Sequence, residues 1–172
     1  MFQDGARFGR MVRLRKCWSP APLRPVVFNA YQREYAYVYA AVSPKDGCFE
    51  WMLSEKMNTV QMQSYLAQVS EAYPEEFIVM VVAGASSHVS KALKIPGNMR
   101  LLQLPPYSPE LNPCENLWDE IREKLFPSRV YSSMKEVIKQ LKEGVPKLAA
   151  EAGKFQSIAG RDWIIDAISI AS

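Results

Sequence analysis

The sequence predicts a single α/β domain in which helices flank a mixed sheet of three antiparallel strands plus parallel strands. Three segments rich in Val, Tyr, Phe and Trp follow one another within residues 26–53, and such short spacing is typical of an antiparallel meander. Residues 77–105 then have the pattern of strand, short helix and strand, a crossover that makes these two strands parallel. One core is expected, since 172 residues fit one domain.

Each strand is assigned from its composition. The antiparallel strands are expected at VVFNAY, YAYVYAAV and CFEWML, with SPKDG at 43–47 as a hairpin turn. FIVMVV at 77–82 lacks polar alternation, which indicates a central strand buried on both faces. NMRLLQLP at 98–105 is its expected parallel neighbour, and SSHVSKALKI is the connecting helix. Ligand sites lie at the carboxyl ends of such strands, so AGASSH, which follows FIVMVV, is a candidate ligand-binding segment.

A longer helix is predicted between CFEWML and FIVMVV from apolar residues at helical spacing. It follows Asn58 or Thr59, either of which can act as the N-cap. Its apolar face is expected to cover the sheet and comprises Met62, Tyr65, Leu66, Val69 and Tyr73.

Three helices are predicted in the last third of the chain. NPCENLWDEIREKLF begins with Asn112 as N-cap and Pro113 in its first turn. SSMKEVIKQLKEGVPKL begins with a capping box formed by Ser133 and Glu136. FQSIAGRDWIIDAIS is the third and the weakest pattern. The apolar positions of the first two are Leu117, Ile121 and Leu125, and then Met134, Val137, Ile138, Leu141 and Val145.

Positive charge is concentrated at the N-terminus. The net charge is +3, yet residues 1–33 hold seven Arg and Lys side chains against Asp4 alone. The segment RFGRMVRLRK can lie along a phosphate backbone, or it can be a strand edge protected from aggregation by charge; the pattern alone favours neither. The DNA-binding candidates are Arg7, Arg10, Arg13, Arg15 and Lys16.

Several classes of protein are disfavoured. No apolar run reaches the roughly 18 residues of a membrane span, and the N-terminus lacks the pattern of a secretory signal, so a cytoplasmic location is expected. Three widely spaced cysteines and one histidine, His88, argue against a zinc site or a disulfide framework. The thiols are expected to be reduced and mostly buried, with exposure left open for Cys114 beside Glu115.

The order of elements is that of a ribonuclease H-like fold, in which three carboxylates can converge. One lies near the first strand, one at the end of the central strand and one on a following helix. Oxygen ligands suit Mg²⁺, and two such ions can activate an attacking oxygen and stabilise a leaving one. Asp4 and Glu115 occupy the first and third places, whereas Ala83 follows FIVMVV at the second.

The segment LPPYSPELNPCENLW, with FQDGARFGR and VVAGASSHVSKAL, closely resembles the catalytic domain of bacterial insertion-sequence transposases of the mariner-like DDE superfamily. The resemblance covers nearly the whole chain. It implies an enzyme dependent on Mg²⁺ (or Mn²⁺) that cuts transposon ends and joins the freed 3′ hydroxyl to target DNA. It makes Asp4 the first catalytic Asp and Glu115 the final Glu, both of them metal ligands.

The chain departs from the family pattern at two positions. Ala83 stands where the second catalytic Asp belongs, and Gly5 follows the first Asp where the family usually has Glu. Alanine supplies no oxygen ligand, so the two-metal site of the active family form is expected to be weakened and the chain to be inactive or severely impaired. The effect of Gly5 on activity is left open, because the Glu that the family usually has at this position can be structural.

Two accessory residues are candidates at the same site. The family often carries a histidine at the position of His88, which can reach a metal-bound water or a phosphate; a polar residue at a helix start is the alternative. Asn112 stands at the proline-rich helix entrance, where restricted φ angles fix the helix start. Stabilisation of the helix by Glu115 at its third position is the competing explanation. Trp118 is interpreted as core packing, with a base-stacking platform as the alternative. Turn chemistry explains Tyr107 and Ser108, for which contact with DNA is the alternative.

The expected organisation is one catalytic domain over residues 1–172, without the N-terminal helix-turn-helix region that such transposases usually carry. The expected partners are transposon-end and target DNA, with a homodimer assembled on DNA and no membrane contact, in the bacterial cytoplasm near the nucleoid. The alternative is a non-catalytic DNA-binding or assembly module derived from a transposase. A ribonuclease on the same fold is a third, weaker interpretation.

Overall fold

A five-stranded mixed sheet forms the centre of the computed structural model. Its strand order is β3-β2-β1-β4-β5; β1 and β2 and then β2 and β3 are antiparallel, whereas β4 runs parallel to both β1 and β5. The predicted α/β fold with a mixed sheet is therefore confirmed. The strands are β1 Phe2–Gly9, β2 Tyr35–Val42, β3 Phe49–Ser54, β4 Ile78–Val82 and β5 Met99–Gln103. The structure describes residues 1–10, 18–24, 26, 32–84, 92–126 and 130–170.

Helices cover both faces of the sheet. Helix α1 packs on one face, and α2, α3 and α4 pack on the other. No helix in the described ranges is both long and apolar enough to cross a membrane. The helices are α1 Thr59–Ala72, α2 Cys114–Leu125, α3 Met134–Ala149, α4 Lys154–Ala159 and α5 Asp162–Ile170, with a 3-10 helix at Pro109–Leu111.

The antiparallel part of the sheet differs from the prediction in its first strand. YAYVYAAV and CFEWML form β2 and β3 as expected, joined by the predicted turn in which Gly47 N–H donates to the Ser43 carbonyl. The third antiparallel strand is β1, which pairs with β2 and which composition did not indicate because Gly and Arg interrupt it. VVFNAY, apart from the exposed Val26, lies outside the described residues, as does most of SSHVSKALKI. The middle strand of the sheet is thus β1.

Strand β4 is buried on one face only, so the prediction of a central strand buried on both faces is wrong. Ile78, Met80 and Val82 pack beneath α1, whereas Val79 on the other face is 46% exposed. On this face Val79 lines a groove of about 600 Å³ together with Trp163 of α5. An uninterrupted apolar run therefore marks a partly covered strand here.

The start of α1 follows the sequence pattern, whereas the start of α3 does not. Asn58 caps α1 by accepting a hydrogen bond from the Gln61 N–H at 2.9 Å, as predicted. The capping box of α3 is wrong in detail, because the Ser133 hydroxyl makes no capping bond and Glu136 accepts instead from the backbone and side chain of Ser132.

FQSIAGRDWIIDAIS forms two helices, α4 and α5, where one was predicted. The chain breaks at Gly160, whose missing Cβ would lie 2.8 Å from the Pro44 carbonyl oxygen. Close approach of two backbone segments therefore ends the helix at this glycine.

Gln3 is a buried polar residue next to Asp4. Its side chain is fully buried, and neither amide atom has a hydrogen-bond partner among the described residues. An unsatisfied buried group costs about 1–3 kcal/mol, so the sheet carries a destabilising residue at its centre.

Replacing Gln3 by Met should raise the free energy of unfolding by about 1–3 kcal/mol, because the side-chain volume is nearly kept and both unpaired atoms are removed. Denaturant unfolding measures the change. The exposed Gln32→Met is the control and should alter stability by less than about 0.5 kcal/mol. A loss of stability in Gln3→Met would show that the amide is hydrogen-bonded, for instance to a buried water.

Candidate active site

The parallel strands bring Asp4 and Ala83 to the same edge of the sheet. The β1–β4 ladder ends with Gln3 opposite Val82. Asp4 and Ala83 are the next residues of the two strands in this register, so both lie at the carboxyl end of β4. Asp4 also pairs with Ala40 of β2, and Ala40 belongs to the core under α2 and α3. The Asp4 side chain therefore points towards the face on which α2 packs.

A cleft of about 410 Å³ opens at this edge and brings the predicted carboxylates together. Its lining includes Asp4, Ala83, Gln103, Tyr107, Asn112 and Glu115. Glu115 is exposed in the first turn of α2, and Asn112 is buried just before that helix. His88 lies outside the described residues. Of the residues that the sequence singled out, Asp4, Ala83, Asn112 and Glu115 share one site.

Three side chains tie the start of α2 to three consecutive residues of β1. The Asn112 Nδ2 donates to the Gln3 carbonyl at 3.2 Å, while its Oδ1 accepts from the Cys114 N–H at 3.2 Å. The Cys114 thiol donates to the Phe2 carbonyl at 3.0 Å. The Trp118 indole Nε1 donates to the Asp4 Oδ2 at 2.9 Å. The predicted N-cap at Asn112 is wrong by one residue, because Pro113 is the N-cap and α2 begins at Cys114; the Asn112 side chain nevertheless accepts from the first helical N–H.

Cys114 is a buried structural thiol, so the exposure left open for it does not occur. Burial, with a further contribution from the negative charge of Asp4, raises the pKa of the Cys114 thiol well above its usual value. The thiol therefore stays protonated, which suits its role as a hydrogen-bond donor and makes it a poor nucleophile or metal ligand.

The proline-rich segment connects β5 to α2 along the rim of the cleft. It starts where the Leu104 N–H donates to the Val82 carbonyl at 2.9 Å and ends in the 3-10 helix Pro109–Leu111. Between them, Tyr107 has a φ of 58° and is fully exposed. A left-handed backbone is unusual for an aromatic residue, and no sequence pattern indicated it. The stiff segment fixes where α2 begins relative to the ends of β4 and β5.

Gly5 faces away from the cleft. It pairs with Tyr39, which lies in the core beneath α1, and a Cβ at this position would meet the terminal methyl of Met57 at 2.5 Å. A side chain at position 5 would therefore enter the opposite face of the sheet from Asp4.

The described basic residues of the N-terminus differ in their surroundings. Arg7 is exposed, with its guanidinium 5.0 Å from the centre of the Tyr35 ring. Arg10 is engaged within the protein, because its Nε donates to the Tyr131 carbonyl at 3.1 Å and its Nη1 pairs with Glu34 at 3.2 Å. Arg13, Arg15 and Lys16 lie outside the described residues.

Glu115 also borders a second depression, of about 350 Å³. It is lined by Pro109, Glu110, Glu115, Asn116 and Arg161. Arg161 precedes α5 and is far from Glu115 in sequence, which is why no motif pointed to it. Glu115 therefore borders two depressions, and Arg161 lines the second of them with it.

The donor set of the cleft suits one hard cation better than two. No group of three or more His, Cys, Asp and Glu side chains in the described part of the chain is placed to hold a metal ion. Asp4 and Glu115 contribute two carboxylates, and Mg²⁺ is often held by one or two carboxylates together with several waters. Position 83 adds no oxygen from its side chain, which leaves a second ion short of a ligand.

A model of the DDE superfamily endonuclease family matches residues 1–138. The chain belongs to this family. Among curated relatives of this DDE protein, the "Uncharacterized protein y4pE/y4sA" of Sinorhizobium fredii is 32% identical over 130 residues, which is 75% of the present chain and 96% of the relative.

Among the solved structures that resemble this DDE domain are Mos1 transposase complexes. A Mos1 paired-end complex with the left transposon end superposes with a TM-score of 0.68 at 19% identity over 98% of this chain, and the Mos1 paired-end complex with Mg does so with 0.65 at 17% identity over 99%. The fold is thus the ribonuclease H-like fold of transposase catalytic domains. The present chain spans about half of the length of these Mos1 chains, 54% and 55%.

Replacing Asn112 by Ala should lower the free energy of unfolding by about 2–4 kcal/mol, because the buried Gln3 carbonyl and the Cys114 N–H each lose a partner. Urea unfolding followed by circular dichroism measures it. Asn116→Ala, one helical turn further on, is the control and should cost less than about 1 kcal/mol. Equal losses in the two variants would mean that the contact between Asn112 and β1 does not hold α2 in place.

Proposed function

We propose that this chain is the catalytic domain of a DDE transposase, built for metal-dependent DNA strand cleavage and strand transfer, and that Ala83 leaves it inactive or severely impaired. One observation supports this most: Asp4, Ala83 and Glu115, far apart in sequence, line a single cleft at the carboxyl edge of the sheet. Membership of the DDE superfamily endonucleases supports the same reaction class.

The proposed roles follow from the chemistry of the lining. Asp4 and Glu115 are the metal ligands and the catalytic carboxylates, Asn112 holds the helix that carries Glu115, and His88 is an accessory candidate. A bound Mg²⁺ or Mn²⁺ would polarise the scissile phosphate and activate the attacking oxygen. The protein's own part is to hold two carboxylates at a fixed separation and to admit a phosphodiester from the open side of the cleft.

The impairment follows from the missing donor at position 83. Two carboxylates satisfy one Mg²⁺ with water as the remaining ligands. Two-metal phosphoryl transfer needs a second ion about 3.5–4 Å from the first. The side chain of Ala83 provides no oxygen ligand for this second ion. We expect weak metal binding and very slow turnover for the chain as it stands.

DNA and a second copy of the chain are the proposed partners. The Mos1 structures are described as paired-end and strand-transfer complexes, and the N-terminal basic residues of the present chain suit a phosphate backbone. Because the chain spans about half of those proteins, specific recognition of transposon ends is proposed for the whole transposase, acting in the bacterial cytoplasm.

A non-catalytic DNA-binding or assembly module is the second candidate, and Ala83 is the observation that favours it. The hydrogen bonds that tie α2 to β1 are made by Asn112, Cys114 and Trp118 and do not use the side chain at position 83. The scaffold can therefore persist after the metal chemistry is lost. Binding to DNA that is sensitive to salt and indifferent to metal would favour this candidate.

Ala83→Asp should bind Mn²⁺ at least tenfold more tightly than the present chain, because it adds a carboxylate to the cleft. Tenfold tighter binding adds about 1.4 kcal/mol of stability when the ion is well above both dissociation constants. Thermal unfolding against Mn²⁺ concentration gives the affinities, and nicking of a supercoiled plasmid gives the activity. Ala83→Asn is the matched control, with similar volume and no charge. Equal Mn²⁺ affinity and equal nicking by the present chain and Ala83→Asp would contradict both the assignment of the cleft as a metal site and the explanation of impairment.

Arg7→Gln should weaken DNA binding and reduce the slope of log K against log salt by about one unit, as expected for one lost phosphate contact. Arg10→Gln should change the slope less, since its guanidinium already contacts Tyr131 and Glu34. Fluorescence anisotropy with a labelled duplex over a range of NaCl concentrations measures both slopes. The outcome against this prediction is a larger change in Arg10→Gln than in Arg7→Gln.

A further inference from the structure

We propose that Trp118 is a positioning residue for Asp4: its indole N–H fixes the orientation of the carboxylate that holds the metal ion. This inference rests on the proposed function, since it assigns Asp4 to a metal site. Neither the family pattern nor the helical periodicity assigns Trp118 more than a place in the core.

The contact has the geometry of a strong hydrogen bond. The Nε1 of Trp118 lies 2.9 Å from the Oδ2 of Asp4, within the range for an N–H donor and an ionised oxygen. An indole has one donor and no acceptor. It therefore orients the carboxylate through a single oxygen and does not compete as a ligand.

The indole itself is held rigidly. Trp118 is 1% exposed, and its ring meets the edge of Phe8 with centroids 6.1 Å apart and planes at 71°. Phe8 is in turn packed against Phe126 at 5.1 Å and carries the Arg122 guanidinium at 5.4 Å from its ring centre. A donor embedded in this way cannot follow the carboxylate if it rotates, so the carboxylate is held in place.

Helix α2 thereby controls both carboxylates. It carries Glu115 directly, and one turn later it sets the orientation of Asp4 through Trp118. Such partners of metal ligands typically change metal affinity 10–100-fold when removed. The competing explanation is that Asp4 only satisfies a buried indole N–H, in which case metal affinity would not depend on the bond.

The test uses the full chain with Ala83→Asp as the parent and Mn²⁺ as the probe. Adding Trp118→Phe keeps an aromatic ring but removes the N–H, and it should weaken Mn²⁺ binding about tenfold or more in calorimetric titration. Phe155→Leu in the same parent is the control: it loosens the Phe49–Phe155 ring contact elsewhere in the core and lowers the melting temperature, and it should leave the Mn²⁺ affinity within about twofold.

A second variant distinguishes loss of the indole N–H from a folding defect in Trp118→Phe. Biosynthetic replacement of Trp118 by benzothienylalanine substitutes sulfur for the N–H in a ring of nearly the same shape, and it should lower the affinity to a similar degree. Unchanged Mn²⁺ affinity in this variant, with the parent binding normally, overturns the inference alone. A parent that binds no Mn²⁺ overturns the proposed function, and the inference with it.

Discussion

The attachment of helix α2 to strand β1 is the constraint on which the site depends. Cys114, Asn112 and Trp118 reach Phe2, Gln3 and Asp4 in turn, at 3.0, 3.2 and 2.9 Å. These contacts join segments more than 100 residues apart in sequence, and they lie in or beside the buried core. A helix fixed at this end cannot slide along or rotate on the sheet without breaking several buried hydrogen bonds at once.

This attachment explains how a chain can keep its site geometry while lacking one ligand. The orientation of the carboxylates follows from α2 and from the register of β1 with β4, and neither depends on the side chain at position 83. An alanine at the end of β4 removes an oxygen donor and leaves the surrounding scaffold unchanged. The same cleft therefore suits both an impaired enzyme and a DNA-binding remnant. Metal binding and metal-dependent cleavage distinguish these two functions.

The fold was largely predictable because the spacing of apolar residues along the sequence indicates which side chains are buried. The faces of α1 and α2 and the parallel pair β4–β5 follow from local pattern. Strand β1 was missed because its glycines and arginines lower its strand propensity, and only pairing with β2 and β4 compensates for them. The exposure of Val79 depends on how far the helices extend over the sheet, which no local pattern encodes.

The site was predictable only in part, for a similar reason. Motif and fold order predicted that Asp4, Ala83 and Glu115 would lie together, and the three line one cleft. The bond from Trp118 to Asp4 and the proximity of Arg161 to Glu115 were not found, because both depend on three-dimensional packing. Anomalous diffraction from Ala83→Asp crystals soaked in Mn²⁺ tests the central claim most directly. The account predicts a manganese peak within coordinating distance of both Asp4 and Glu115; carboxylates that point apart, or a peak that touches neither, would contradict it.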